Sequence, residues 1–271
     1  MNMTQSTAQP AGDLKSPVRN RYFYGKMLDV FHLDLEQCYF NEKRWLLNQR
    51  IVGCGVVCGL GVLLGSDNKS VIVQPGMAID RCGREIIVAS QSSPVSLDPW
   101  MKPPAPPAPA GGATSPAPTP GPEDGKWVHL CLCYHEFECE PEPAFGGDCD
   151  SEARCASGAI RERYKLEICD GKVNMPQPKC NLSEVFANRT LDYALLARYI
   201  TNACPRPPET CCIPIANILI PPAPSPGVAP AAVPTIDITI RPIVFTNRLL
   251  FQMMLCLCGS GNSTDCVGTS D

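Results

Sequence analysis

The sequence predicts an α+β fold, mainly antiparallel β-structure with about three helices and long proline-rich loops. Three observations carry this. Short runs rich in Val, Ile and Leu recur between Gly, Pro, Asn and Asp, the spacing of small antiparallel strands. Three longer stretches place apolar residues at helical spacing. The 29 prolines crowd into segments that can form neither element.

In chain order, residues 1–18 are polar and read as a disordered tail. Arg21–Met27 is aromatic and extended, suited to packing beside the helix that follows. That helix runs from about Leu33 to about Asn48, with Asp29 or His32 near its start. Leu35, Tyr39 and Leu46 share one face, and Glu36, Gln37, Lys43 and Arg44 lie outward. The glycine-punctuated run GCGVVCGLGVLL opens a β region. A strand at Val71–Gln74, a Pro75-Gly76 turn, an extended Met77–Asp80, a second turn at Arg81-Cys82-Gly83 and an extended Arg84–Val88 complete a small antiparallel sheet.

Residues 101–125 hold nine prolines and read as an exposed loop. The unit is taken as one, residues 19–258, because the strand Trp127–Glu136 needs partners for Val128, Leu130 and Leu132. The alternative is a subdivision into 19–100 and 126–258. Residues 138–158 are rich in turn formers and read as a loop. Ile160–Ile168 alternates again, with Ile160, Tyr164, Leu166 and Ile168 on one face and Arg161, Arg163, Lys165 and Glu167 on the other. A helix is expected from about Ser183 to Asn202, capped by Asn181 or Ser183. Strands follow at Ile213–Ile220 and Thr235–Ile240, then an apolar helical element at Ile243–Cys258 and a disordered tail at 259–271.

Charge and composition exclude several classes. A net charge of −4 with only 18% charged residues gives no basic stripe for nucleic acid. No apolar run is long enough to span a bilayer, and no signal core opens the chain, so a cytoplasmic protein is expected. No H-E-x-x-H, G-x-S-x-G or P-loop occurs, and the glycines at 53–61 lack a following helix, so the sequence points away from an enzyme.

The 17 cysteines are the unusual chemistry. Without a signal segment, metal sites and reduced thiols rank ahead of disulfides. The first candidate is a structural Zn2+ site at His135, Cys139, Cys149 and Cys155, spaced H-x3-C-x9-C-x5-C round a turn-rich loop. A second cluster, Cys180, Cys204, Cys211 and Cys212, reads as a metal site or a source of disulfides, since adjacent cysteines rarely aim at one ion. Cys54 and Cys58 stand about 13 Å apart on a strand, too far for one metal. His129 with Cys131 or Cys133 makes a Cys/His pair, though alternate positions on a strand usually form a packed face. Candidate interface residues are Tyr22, Phe23 and Tyr24, and Leu250 and Met254 on an element apolar nearly all round.

Four patterns carry a resemblance. They are R-Y-F-Y-G-K at Arg21–Lys26, E-Q-x-Y-F-N-E-K-R at Glu36–Arg44, G-V-V-C-G-L at Gly55–Leu60, and P-G-x-A-I-D-x-x-G-R-E-I at Pro75–Ile86, with I-R-E-R-Y at Ile160–Tyr164 beside them. Together they resemble a family encoded with phage-tail-like contractile injection systems, whose members look like baseplate or tail-fibre attachment proteins. The likeness is strong over the first third of the chain. It implies a structural or adaptor role, docking onto protein components of such a particle or onto a second copy. The absence of a repeat shaft after residue 258 suits an adaptor or cap. It also implies assembly in the cytoplasm with release by lysis. The rival functions are a metal-dependent enzyme or effector carried by the particle, and a secreted disulfide-rich binding module. Three protein ligands plus water beside an acidic residue would argue for the first.

Overall fold

The computed structural model describes residues 16–101, 125–143, 155–177, 185–187, 190–201, 209–222 and 233–259. Most of both expected tails and of the proline-rich segment, and Cys149, Cys180 and Cys204, lie outside these residues. The fold is mixed α+β with mainly β-structure, as the alternation predicts.

Helix α1 spans Val30–Leu47 and continues into a π turn at Asn48–Val52. Asp29 caps it, its carboxylate accepting the His32 N–H at 3.1 Å, so the helix begins a few residues earlier than expected. The aromatic segment before it folds back alongside: the Tyr22 hydroxyl donates to Glu36 at 2.6 Å, and the Asn20 amide donates to the His32 carbonyl.

β1 (Gly55–Gly59) pairs with β4 (Gly76–Ile79), which pairs with β5 (Glu85–Val88). β2 (Val62–Leu64), β3 (Ser70–Val73) and β6 (Val95–Ser96) form a second three-stranded sheet. The single small sheet of the sequence reading is therefore two. They are joined where Gly59 and Leu60 take positive φ. A side chain on Gly59 would run into the Pro75 carbonyl, so the break depends on glycine there.

After the short helix α2 (Asp98–Met101), β7 (Lys126–Pro143) and β8 (Cys155–Asp170) form a long antiparallel ladder. β11 (Ile213–Ile220) pairs with β7 from Lys126 to Leu132, and β12 (Thr235–Asp237) pairs with β11. The residues expected to form a loop at 138–143 and 155–158 are ladder instead. The reason is local. Beyond Leu132, β8 is the one strand that pairs with β7 among the described residues, so Pro141 and Pro143 forfeit no bond to β11.

The helix expected over 183–202 is also corrected. β9 (Phe186–Ala187) and β10 (Thr190–Leu191) make a small hairpin, and helix α3 is only Tyr193–Ile200. Asp192 sets its start by accepting the N–H groups of Ala194 and Leu195. Helix α4 (Asn247–Gly259) is preceded by an extended Pro242–Val244 that bonds β1 on both sides of Val56.

One apolar core draws from both sides of the proline-rich segment. Leu60, Val71, Val73, Ile86 and Leu97 pack with Val128, Leu130, Leu132, Ile213, Ile215 and Ile218. Each such burial contributes about 1.5–3 kcal/mol before entropy is counted.

Candidate functional site

The expected zinc set is not gathered in the described structure. His135 is exposed and faces Arg163 across the ladder; Cys139 faces Ala159; Cys155 stands opposite Pro143. Four residues of strand separate His135 from Cys139, about 13 Å at ~3.3 Å per residue. A similar length separates Cys139 from the rung of Cys155. Zinc donors must sit a few ångströms apart. The ladder spreads His135, Cys139 and Cys155 along its length, because 138–143 and 155–158, expected to wrap the ion, are strand.

Of the second cluster, Cys211 and Cys212 form disulfides, with partners the sequence did not single out. Cys211 bridges Cys82, and Cys212 bridges Cys133, with Cα separations of 5.2 and 4.4 Å. Adjacent side chains point away from each other, so Cys211 reaches the β4–β5 turn and Cys212 reaches β7. Metal and free thiols therefore do not account for all the cysteines. Cys133, Cys212 and Glu167 lie within metal-ligand reach of one another, but the bridge removes both sulfurs as thiolates.

The outward face of β7 carries a different cluster. His129, Cys131 and Cys169 bring their ligand atoms within 4.8 Å of one another. Alternation puts His129 and Cys131 on one face, opposite Val128, Leu130 and Leu132 in the core. The register supplies the third member, since His129 pairs with Cys169 and Cys131 with Glu167. His129 Nδ1 lies 2.9 Å from the Gly171 carbonyl. A carbonyl only accepts, so Nδ1 is the donor in this contact, and Nε2 carries the lone pair of the neutral ring. Burial pushes the Cys131 thiol up to about 12, with Cys169 and Glu167 adding to the rise and Arg81 opposing it. The strand alternation had marked His129 and Cys131 as a pair; Cys169 was out of sight because it depends on the β7–β8 register.

The expected interface residues are exposed. Tyr22, Phe23 and Tyr24 face solvent, as do Leu250 and Met254. Roughly half of the large exposed apolar side chains among the described residues fall in residues 18–33 and 243–255. Helix α1 buries none of its residues, and α4 is exposed at Leu250, Phe251, Met253, Met254 and Leu255. Only Val244, ahead of α4, is buried. Both helices leave the body at β1: the π turn of α1 ends three residues before it, and α4 begins three residues after Val244 bonds Val56.

Helix α1 is nevertheless fixed at its base. Asn48 Nδ2 donates to the Gly83 carbonyl and to Glu85, both at 2.8 Å, and Gln49 donates to the Arg81 carbonyl. Arg44 pairs with Glu85 at 3.2 Å. Gly83 allows the approach, since any side chain there would meet the Trp45 carbonyl. Among the described residues no helix is long and apolar enough to cross a membrane. Set against known families and curated proteins, the chain matches no family model and no curated sequence.

Proposed function

We propose that this chain is an assembly adaptor of a phage-tail-like contractile particle, and that its two exposed helices are the docking arms. The observation that carries the reading is the pair α1 and α4: helices that leave one edge of a compact β body and expose Val30, Phe31, Leu33 and Phe40 on one and Leu250, Phe251, Met253 and Met254 on the other. Solvent-facing apolar surface of this extent is costly and marks a protein partner. A partner that buries aromatic and methionine side chains fits an interface core better than a nucleic acid or charged ligand does. The sequence resemblance names the particle, and the low charge suits a component buried among neighbours. The disulfides suit a particle that assembles in the cell and meets oxidising surroundings after release.

The test is incorporation. Tagged chain is expressed with the particle, and the particle is isolated by sedimentation. The wild-type chain should travel with it. The Leu250→Asp/Met254→Asp variant should keep its circular dichroism and both disulfides yet stay behind in the soluble fraction. A wild-type chain absent from the particle, or a folded variant that still incorporates, defeats the proposal. Unfolding of the variant would place α4 in the core.

A further inference from the structure

We infer that His129, Cys131 and Cys169 form a Zn2+ site that clamps β7 to β8, with three protein donors and solvent in the fourth position, the open arrangement that the metal-dependent alternative to the adaptor reading also calls for. The donor set is two thiolates and an imidazole, the soft-to-borderline chemistry that selects zinc over magnesium or calcium. Two Zn–S bonds of ~2.3 Å meeting at a tetrahedral angle hold their sulfurs about 3.8 Å apart. Ligand atoms already within 4.8 Å reach that spacing by small side-chain rotations.

The rival for two close cysteines is a third disulfide. The register argues against it. Cys131 stands opposite Glu167 and Cys169 opposite His129, so the two cysteines are diagonal neighbours. Diagonal positions on an antiparallel pair hold their Cα atoms roughly 7–8 Å apart, with Cβ atoms somewhat closer, whereas a disulfide wants Cβ atoms about 3.8 Å apart. An ion spans the diagonal that an S–S bond does not.

The surroundings suit a ligand histidine. With Nδ1 donating to the Gly171 carbonyl, Nε2 is the nitrogen left to bind an ion, the second-sphere arrangement that fixes the tautomer of metal-bound histidine. Binding sends the two thiol protons to solvent, and two thiolates then balance the charge of Zn2+. Glu167 and Arg81 lie close enough to act on Cys131 with opposite sign, so neither leaves the site with a large uncompensated charge.

The experiment uses the full chain with both disulfides intact, stripped by chelator and titrated with Co2+ alone. One Co2+ per chain should bind with a thiolate charge-transfer band and the visible bands of tetrahedral cobalt, and Zn2+ should displace it. X-ray absorption of the zinc form should show two sulfur and two lighter donors. Cys169→Ser, at a half-buried position near the end of β8, should weaken Co2+ binding by at least about tenfold while leaving the fold intact. Cys131→Ser/Cys169→Ser should abolish the thiolate band, and Cys139→Ser should leave it unchanged. Three results overturn the site: no thiolate band in the wild type, an undiminished band in the double variant, or a Cys131–Cys169 disulfide found by peptide mapping of unreduced protein. Four sulfur donors would overturn it as well.

Discussion

One carboxylate, Asp80, organises the turn that carries Cys82. It is fully buried; one oxygen accepts the N–H groups of Cys82 and Arg84, and the other accepts from Arg84 Nε at 2.8 Å. The Arg84 guanidinium in turn sits 4.6 Å over the Tyr134 ring, tying the turn to β7. Asp80→Ala should cost about 3 kcal/mol, because it strands two buried N–H donors and a half-buried cation. Chemical denaturation at neutral pH measures this. Burial pushes the Asp80 carboxyl above its usual 3.8, with the Arg84 contacts opposing. A raised carboxyl pKa means that folding favours the protonated form. Its stability contribution is full below the unfolded value and declines as pH rises through the folded one. The advantage of wild type over Asp80→Asn should therefore narrow as pH rises from acid toward neutral. A widening gap would mean that the Arg84 pair outweighs burial.

The strands illustrate how far local pattern reaches. Val128, Leu130 and Leu132 alternate with Trp127, His129, Cys131 and Cys133 and are core, and Ile213–Ile220 is a strand with the bounds its composition suggests. What local pattern does not carry is who pairs with whom. Nothing near Cys211 or Cys212 points to Cys82 or Cys133, 129 and 79 residues away in sequence. Pro141 and Pro143 argue against a strand unless one knows that β11 no longer pairs with β7 there. Val185–Leu191 is apolar enough for a helix, yet Asp192 starts one only after a hairpin. Helix α1 was legible as an element, but its footing was not, since that rests on side chains reaching the β4–β5 turn. Asn48→Ala removes both 2.8 Å bonds and should weaken this footing by about 1–2 kcal/mol. Hydrogen exchange should quicken through α1 by roughly tenfold or more while β7 and β11 keep their protection. Uniform loss of protection would mean that α1 and the body open together.

Across the whole molecule, the core and one disulfide both join the two sides of the proline-rich segment. A protease site placed within residues 102–124 should therefore give fragments that migrate as one band without reductant and two with it. On a native sizing column the reduced fragments should still travel together, held by Leu60, Val71 and Ile86 against Leu130, Ile213 and Ile218. Separation there would mean two independent units. In the chain-entropy view, loops of these lengths make each bridge worth about 4–5 kcal/mol, less where the two overlap. The bridges also lay out a path for mechanical load. A pull on α1 enters the body through Asn48 and Arg44 at the β4–β5 turn. From Cys82 it passes by covalent bond to Cys211, crosses one peptide unit to Cys212, and reaches Cys133 in the middle of the longest strand. Past the Cys82 turn, tension on the arm is thus delivered to the sheet interior through covalent bonds alone, in parallel with the backbone that runs from α1 into β1.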